Sequence, residues 1–229
     1  MKEPIQKLNR KGNPLTSKVE NDEFIQLASK AFDCEFNGTS EFYPWEMPEK
    51  LPKEFGIGVI VGSSGSGKSK LLSEFGEETF PIWEPNRAIV SQFENPDDAI
   101  NRLTAVGLNT VPSWYKPYHV LSNGEQFRAD LARKIRSGAV IDEFTSVVDR
   151  NVAKAASVAL SRYVKKNDVK NVVLATCHHD IIDWLEPDWV INTDTGELYD
   201  GFFLSDLKSI SKYIAQTAIS GPSLKTITI

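Results

Sequence analysis

Residues 57–69 read Ile-Gly-Val-Ile-Val-Gly-Ser-Ser-Gly-Ser-Gly-Lys-Ser. The first five form a short apolar run of the kind that makes a buried strand. Gly62 to Ser69 fit the pattern G-x-x-x-x-G-K-[ST]. A strand that runs into a glycine-rich loop is the context a phosphate-binding loop requires. Glycine takes up backbone angles that let successive N–H groups turn inward onto phosphate oxygens. In such a loop Lys68 reaches the β- and γ-phosphates, and the Ser69 hydroxyl ligates Mg²⁺. A helix through Leu71-Leu72 would add its positive end to the cradle. The segment therefore implies a nucleoside-triphosphate site at the end of a strand.

On either side of the loop, apolar runs alternate between the two regular periods. Residues 20–35 carry Phe24, Leu27, Ala28 and Ala31 at helical spacing, and Phe32 to Phe36 alternate as a half-buried strand would. Asn37 to Ser40 is a turn signal. A helix is expected over 69–76, ending near Gly76, and a buried strand over 87–92 ending in Gln92. Helices are expected over 97–107, 123–136 and 151–165, with buried strands at 139–141 and 172–176. A late strand pair is expected around the turn Asp194-Thr195-Gly196. Strands alternating with helices, with polar residues at the strand ends, indicate an α/β sheet whose site lies at the carboxyl edge.

Composition narrows the class. The chain has 229 residues, 41% hydrophobic and 25% charged, ordinary for a globular protein with one substantial core. A net charge of −5 argues against gripping nucleic acid with the whole surface. The first stretch is basic, with Lys2, Lys7, Arg10, Lys11 and Lys18 against Glu3. It reads as a flexible tail over 1–22, a candidate docking arm for a partner. No run is long enough to span a bilayer, and no signal-peptide core opens the chain. Cys34 and Cys177 make no disulfide framework and fit a reducing cytosol, so a cytoplasmic location is expected. Cys177-His178-His179 are too close in sequence to converge on one metal ion.

Further motifs follow the loop in a fixed order. Leu121-Ser122-Asn123-Gly124-Glu125 opens the helix over 123–136, where Ser122 and the N–H groups around Gly124 make a second anion-binding end. Read alone it is a helix cap. One nucleotide on one chain rarely needs two phosphate cradles, whereas two chains facing each other do. Val140-Ile141-Asp142-Glu143 sets one carboxylate at a strand end to hold Mg²⁺ and a second to orient attacking water. Phe144 to Asp149 continue this run. His179 follows the next buried strand, where an imidazole can sense the γ-phosphate; His178 is the alternative.

This series resembles the nucleotide-binding domain of ABC-type ATPases, over roughly residues 30–205. Walker A is Gly62 to Ser69, the Q-loop glutamine Gln92, the signature Leu121 to Glu125, Walker B Val140 to Glu143, the D-loop Ser146 to Asp149 and the switch histidine His179. The stretches PYHVLSNGEQFRADLAR, IDEFTSVVDR and CHHDIIDWLEPDWV are most similar to stand-alone soluble ABC ATPases of phage and prokaryotic genomes, some fused to an acetyltransferase-like domain. The resemblance implies an α/β P-loop NTPase fold of ABC ATPase type with a short helical subdomain at about 95–136. It also implies an ATPase domain over 23–205, with a helical extension and tail over 206–229.

The same resemblance implies ATP and Mg²⁺ as ligands. Gly62, Ser63, Ser64, Gly65, Ser66, Gly67, Lys68, Ser69 and Lys70 would contact nucleotide in one chain. Ser122, Asn123, Gly124, Glu125 and Asp149 would contact it from the facing chain. Ser69, Gln92 and Asp142 would serve the metal, and Glu143, Gln92, His179 and Lys68 the reaction. Phe36 stands about where the adenine-stacking aromatic is expected, with Phe42, Tyr43 and Trp45 as rivals. Asn123 departs from the glycine usual in the signature. The region between Gln92 and Leu121 is short for the part that couples transporter ATPases to membrane subunits.

The function expected is ATP hydrolysis by a soluble, ATP-dependent head-to-tail homodimer that drives a conformational change on a partner. That partner would be a protein, an acetyltransferase-like one included, or nucleic acid. The alternatives are the ATP-binding subunit of a membrane transporter and an ATP-gated binding module with little turnover.

Overall fold

A computed structural model describes residues 3–201. The strands are β1 (Gln6–Lys7), β2 (Leu15–Lys18), β3 (Thr39–Phe42), β4 (Ile57–Val61), β5 (Val140–Ile141), β6 (Val172–Thr176), β7 (Trp189–Asn192) and β8 (Glu197–Asp200). The α-helices are α1 (Glu23–Phe32), α2 (Lys68–Leu72), α3 (Pro96–Ala105), α4 (Val111–Trp114), α5 (Asn123–Lys134), α6 (Arg150–Lys166) and α7 (Ile182–Leu185). Short 3₁₀ turns cover Ile89–Gln92, Tyr118–Val120 and His179–Ile181.

The main sheet runs β1-β8-β7-β4-β6-β5, and β2 and β3 form a separate antiparallel pair. β4, β6, β5 and β7 are mutually parallel, while β8 returns antiparallel beside β7. Every residue of β4 and β6 is buried, as a central parallel strand covered on both faces must be.

Side-chain alternation splits the core in two. Ile57, Val59 and Val61 of β4, with Val172 and Leu174 of β6, join a cluster containing Leu103 of α3, Leu131 of α5 and Leu160 of α6. Ile60, Val173, Ala175 and Ile191 point to the opposite face with Leu71 of α2, Trp45 and Trp189. Gly58 lies on that second face, and a Cβ there would fall 2.0 Å from the Trp189 ring. The glycine makes room for the indole.

The structure corrects several expectations. Residues 3–22 are not loose: Gln6–Lys7 add to the main sheet beside β8, and Leu15–Lys18 pair with β3. Leu8 is buried, and the Arg10 guanidinium stacks 3.5 Å from the centre of the Trp45 ring. Lys7, Arg10, Lys11 and Lys18 thus lie on an ordered stretch, because backbone pairing, the buried Leu8 and the Arg10–Trp45 contact outweigh local composition. Phe32 to Phe36 form no strand; Asp33 adopts a left-handed conformation that ends α1. Residues 89–92 coil into a 3₁₀ turn rather than a strand. The helix after the loop stops at Leu72, short of Gly76. The extension expected over 206–229 lies outside the described residues. Among those described, no helix is long and apolar enough to cross a membrane.

Candidate active site

Because β4, β5, β6 and β7 are parallel, the segments leaving their carboxyl ends meet at one edge. The glycine-rich loop leaves β4 there, Asp142 and Glu143 leave β5, His178 and His179 follow β6, and Thr193 and Asp194 leave β7.

The loop is held open by its glycines and its neighbours. Gly62 and Gly67 have φ of 157° and 101°. A Cβ on Gly62 would lie 2.1 Å from Thr193 Oγ1, and one on Gly67 2.8 Å from Phe42 Cζ. No wider side chain fits either place. The Ser66 hydroxyl lies 2.8 Å from the Ser63 carbonyl and 2.6 Å from the Thr193 hydroxyl. Asp194 accepts from the Ser63 N–H at 2.9 Å and from its hydroxyl at 2.6 Å. Lys68 is only 6% exposed, and its ammonium donates to the Ser63 carbonyl at 2.8 Å across the loop. No side chain caps the start of α2 at Gly67. A buried cation and uncapped N–H donors at one loop form an anion receptor. Ser64, Ser69 and Lys70 are exposed on and just beyond this loop.

Aromatic groups wall one side. The Trp45 indole N–H donates to the Ser66 carbonyl at 3.0 Å, and Phe42 packs over Gly67. Phe36, expected against the nucleotide base, instead lines a shallow apolar groove with Ile25, Ala28 and Phe32 of α1. Of the four aromatic candidates, Phe42 and Trp45 touch the loop, and Trp45 is already engaged on it.

Past β5 the chain turns sharply. Glu143 and Thr145 have φ of 49° and 68°, and Phe144 between them is fully buried. The Phe144 N–H donates to the Ala175 carbonyl at 2.8 Å, and the Thr176 hydroxyl donates to the Phe144 carbonyl at 2.8 Å. These bonds fix the turn to β6 and set the two carboxylates. Asp142 Oδ1 accepts the Glu143 N–H at 2.8 Å, and Glu143 Oε2 accepts the Ser146 hydroxyl at 2.5 Å. The donor set of Ser69 hydroxyl and Asp142 carboxylate is all hard oxygen, as Mg²⁺ prefers.

The two histidines differ. His178 Nδ1 lies 3.4 Å from the Thr145 hydroxyl, and its charge neighbours are Arg150, Asp180 and Glu143. His179 is more deeply buried, and among the described residues its Nδ1 has no hydrogen-bond partner. Burial pushes its pKa below the ordinary histidine value, with Asp194 opposing and Lys68 reinforcing the shift. Electrostatically, His179 belongs to the loop side and His178 to the Glu143 side.

Two site residues sit otherwise than the sequence implies. Gln92 spends its carboxamide on its own loop: Oε1 accepts the Glu84 N–H at 2.7 Å, and Nε2 donates to the Arg87 carbonyl at 2.9 Å. Ser122, expected to present its hydroxyl to phosphate, donates to Glu125 Oε2 at 2.9 Å in a capping box. Glu125 also accepts from the buried Ser113 hydroxyl at 2.5 Å, and its pKa falls to about 2, with that bond the largest cause. A resident carboxylate therefore already answers the dipole of α5. Asn123 and Gly124 form the first turn of α5, and Asp149 caps α6 by accepting from the Asn151 and Val152 N–H groups. Sequence reading missed Thr193 and Asp194. Their only signal was a turn, and their approach to the loop depends on β7 lying beside β4.

No protein-family model matches the chain, and no curated protein is significantly similar to it in sequence. Solved structures are similar in fold. One is a dimeric post-hydrolysis state of the ATP-binding cassette MJ0796 bound to ADP and Pi. It shares 15% identity, with 84% of this chain and 98% of that chain covered and a TM-score of 0.51. A second, a dimeric structure of MJ0796 described as a bacterial ABC transporter cassette, has 16% identity, with 67% and 87% covered and a TM-score of 0.47. The first of these establishes the fold as that of an ATP-binding cassette, an α/β P-loop architecture with a mostly parallel sheet.

Proposed function

We propose that this chain binds Mg-ATP in the Gly62–Ser69 loop and hydrolyses it as a head-to-tail homodimer, whose closing acts on a protein or nucleic-acid partner. The observation that carries the reading is Lys68: a buried ammonium held across a glycine-built loop at the carboxyl edge of a parallel sheet. Burying a lone cation is costly, and an anionic ligand offsets the cost.

In this mechanism the loop N–H groups and Lys68 hold the β- and γ-phosphates. The Ser69 hydroxyl and Asp142 would hold Mg²⁺, which would offset charge on the phosphate oxygens. Glu143 accepts a proton from the attacking water, and His179, kept neutral by burial, contacts the γ-phosphate. Gln92 must release Glu84 and Arg87 to reach the metal. Ser122 must turn its hydroxyl from Glu125 to the nucleotide of the facing chain, with Gly124 supplying backbone N–H and Asp149 lying alongside. Phe42 replaces Phe36 as the aromatic proposed for the base, because of the two aromatics on the loop Trp45 is already bonded to Ser66.

The dimeric state named for MJ0796 supports the two-chain arrangement. The transporter-subunit reading draws on Phe80 and Ile82, 74% and 87% exposed. Isothermal titration with Mg-ATP, phosphate release, and light scattering of Glu143→Gln with and without ATP test the proposal. No nucleotide binding by the parent protein would end it. Copurification of Glu143→Gln with integral membrane subunits, rather than a soluble partner or nucleic acid, would favour the transporter reading.

A further inference from the structure

One face of α5 grips a strap formed by residues 78–92, which has no regular structure before its 3₁₀ turn. Lys134 pairs with Glu78 at 2.7 Å, both side chains being 16% exposed or less. Arg133 donates to the Ile82 carbonyl at 2.7 Å and lies 4.8 Å over the Trp83 ring. One turn nearer the signature, Asp130 uses both carboxylate oxygens. Oδ1 accepts the Trp83 indole N–H at 2.7 Å, and Oδ2 accepts the Tyr118 hydroxyl at 2.6 Å. The two rings stack with centroids 5.2 Å apart and planes 9° from parallel.

Both ends of this arrangement lead to site residues. Next to Trp83, the Glu84 backbone holds the Gln92 carboxamide together with the Arg87 carbonyl. Next to Tyr118, the chain enters the signature within one 3₁₀ turn, and Gln126 Nε2 donates to the Tyr118 carbonyl at 3.2 Å. The Asp130 carboxylate is satisfied by two aromatic donors, and the two stacked rings pack the segments together. A half-buried carboxylate with both oxygens occupied is costly to disconnect.

We propose that Trp83, Tyr118 and Asp130 are a clamp that makes the Ile82–Glu84 part of the strap, on which Gln92 is docked, and the Ser122–Glu125 signature move as one body. They are positioning residues that couple the nucleotide-sensing glutamine to the surface offered to the facing chain. The inference rests on the ATP-dependent dimer proposed above. It assigns the coupling to three side chains that touch neither nucleotide nor metal. When the Gln92 carboxamide lets go of Glu84 and Arg87, the strap is freed at that point, and the clamp transmits the shift to Tyr118 and the start of α5.

The test uses Tyr118→Phe and Asp130→Asn, alone and together, in the full chain and in a Glu143→Gln background. Tyr118→Phe keeps the stacked ring and removes only the hydroxyl. Expected results are Mg-ATP affinity of the isolated chain within about twofold of the parent, and ATP-dependent dimerisation weakened about tenfold or more, equivalent to about 1.4 kcal/mol. Steady-state kcat should fall with it, and the double variant should add little, since both act on the Tyr118–Asp130 bond. Should Asp130→Asn fail to fold, Trp83→Phe removes the other donor while keeping a ring. Variants that lose melting temperature but dimerise with ATP like the parent would reduce the clamp to a structural contact. If the parent binds ATP and dimerises while every clamp variant does the same, the clamp is overturned and the dimer stands. If the parent shows no ATP-dependent dimer, the underlying reading has failed and the coupling falls with it.

Discussion

Asp194, on the hairpin between β7 and β8, accepts both the backbone N–H and the hydroxyl of Ser63. The second residue of the loop is thus anchored to a segment more than a hundred positions away, and this anchor fixes the loop's start without using the N–H groups further along.

Asp194→Ala removes that anchor. Losing two bonds at a partly exposed site costs about 1–2 kcal/mol, a melting shift of about 2–6 °C for a domain of this size. Thermal unfolding measures the shift, and Mg-ATP should restore part of it. Unchanged melting would show that the Ser63 contact contributes nothing.

Lys68→Ala removes the buried cation. A charge-assisted contact is worth about 1.5–3 kcal/mol, so Mg-ATP affinity should fall about tenfold or more. Calorimetry showing the parent affinity would refute the loop as the phosphate site.

Glu143→Gln should lower turnover about 100-fold or more while sparing ATP binding, since the general base is lost and the phosphate contacts remain. With Mg-ATP it should scatter light as a dimer. Adding Ser122→Arg should leave ATP bound to single chains. A double variant that still dimerises would remove the signature's role across the interface.

Stability should fall on acidification in two ranges. His178 and His179 have folded pKa values lowered chiefly by burial, so the unfolded chain binds more protons below about pH 6.5 and folding weakens there. Glu125, held near 2, contributes above its unfolded value of about 4.5 and loses that contribution as pH falls towards 2. Denaturant midpoints from pH 8 to pH 3 measure both. His179→Gln should reduce the fall in the upper range, leaving the His178 part, without changing the lower one; a parent midpoint independent of pH between 7 and 5 would contradict it.

A flexible tail, as composition suggests for the start of the chain, could be deleted over residues 1–18 without loss of the ATPase. The structure reverses that expectation. The deletion strips β1 from β8, removes β2 from β3, and uncovers Trp45 by taking away Leu8 and Arg10. The truncated chain should melt well below the parent and bind ATP less tightly, because Trp45 also holds Ser66. Parent-like melting would show that the edge strands are dispensable.

What could be read in the sequence was local. The run Ile57 to Val61 and the spacing Gly62-Lys68-Ser69 set strand and loop without outside help, since glycine angles and apolar alternation act over a few residues. The helices over 97–107, 123–136 and 151–165 were legible for the same reason, as was the Ser122–Glu125 cap. Residues 89–92 were apolar enough for a strand, but packing against the start of α3 and the Gln92 bonds to Glu84 and Arg87 made a 3₁₀ turn.

By itself the sequence determined an α/β chain with a phosphate-type loop and carboxylates at strand ends, because those features depend on periodicity and short spacing. Only the tertiary structure decided which groups surround the loop. Asp194 and Thr193 reach it because β7 lies beside β4, and Phe42 covers Gly67 where Phe36 does not. Basic residues near the start lie along an ordered edge because β8 leaves a free side for Gln6–Lys7. Each of these depends on strand order and on contacts between distant segments, and a local sequence pattern carries no information about either.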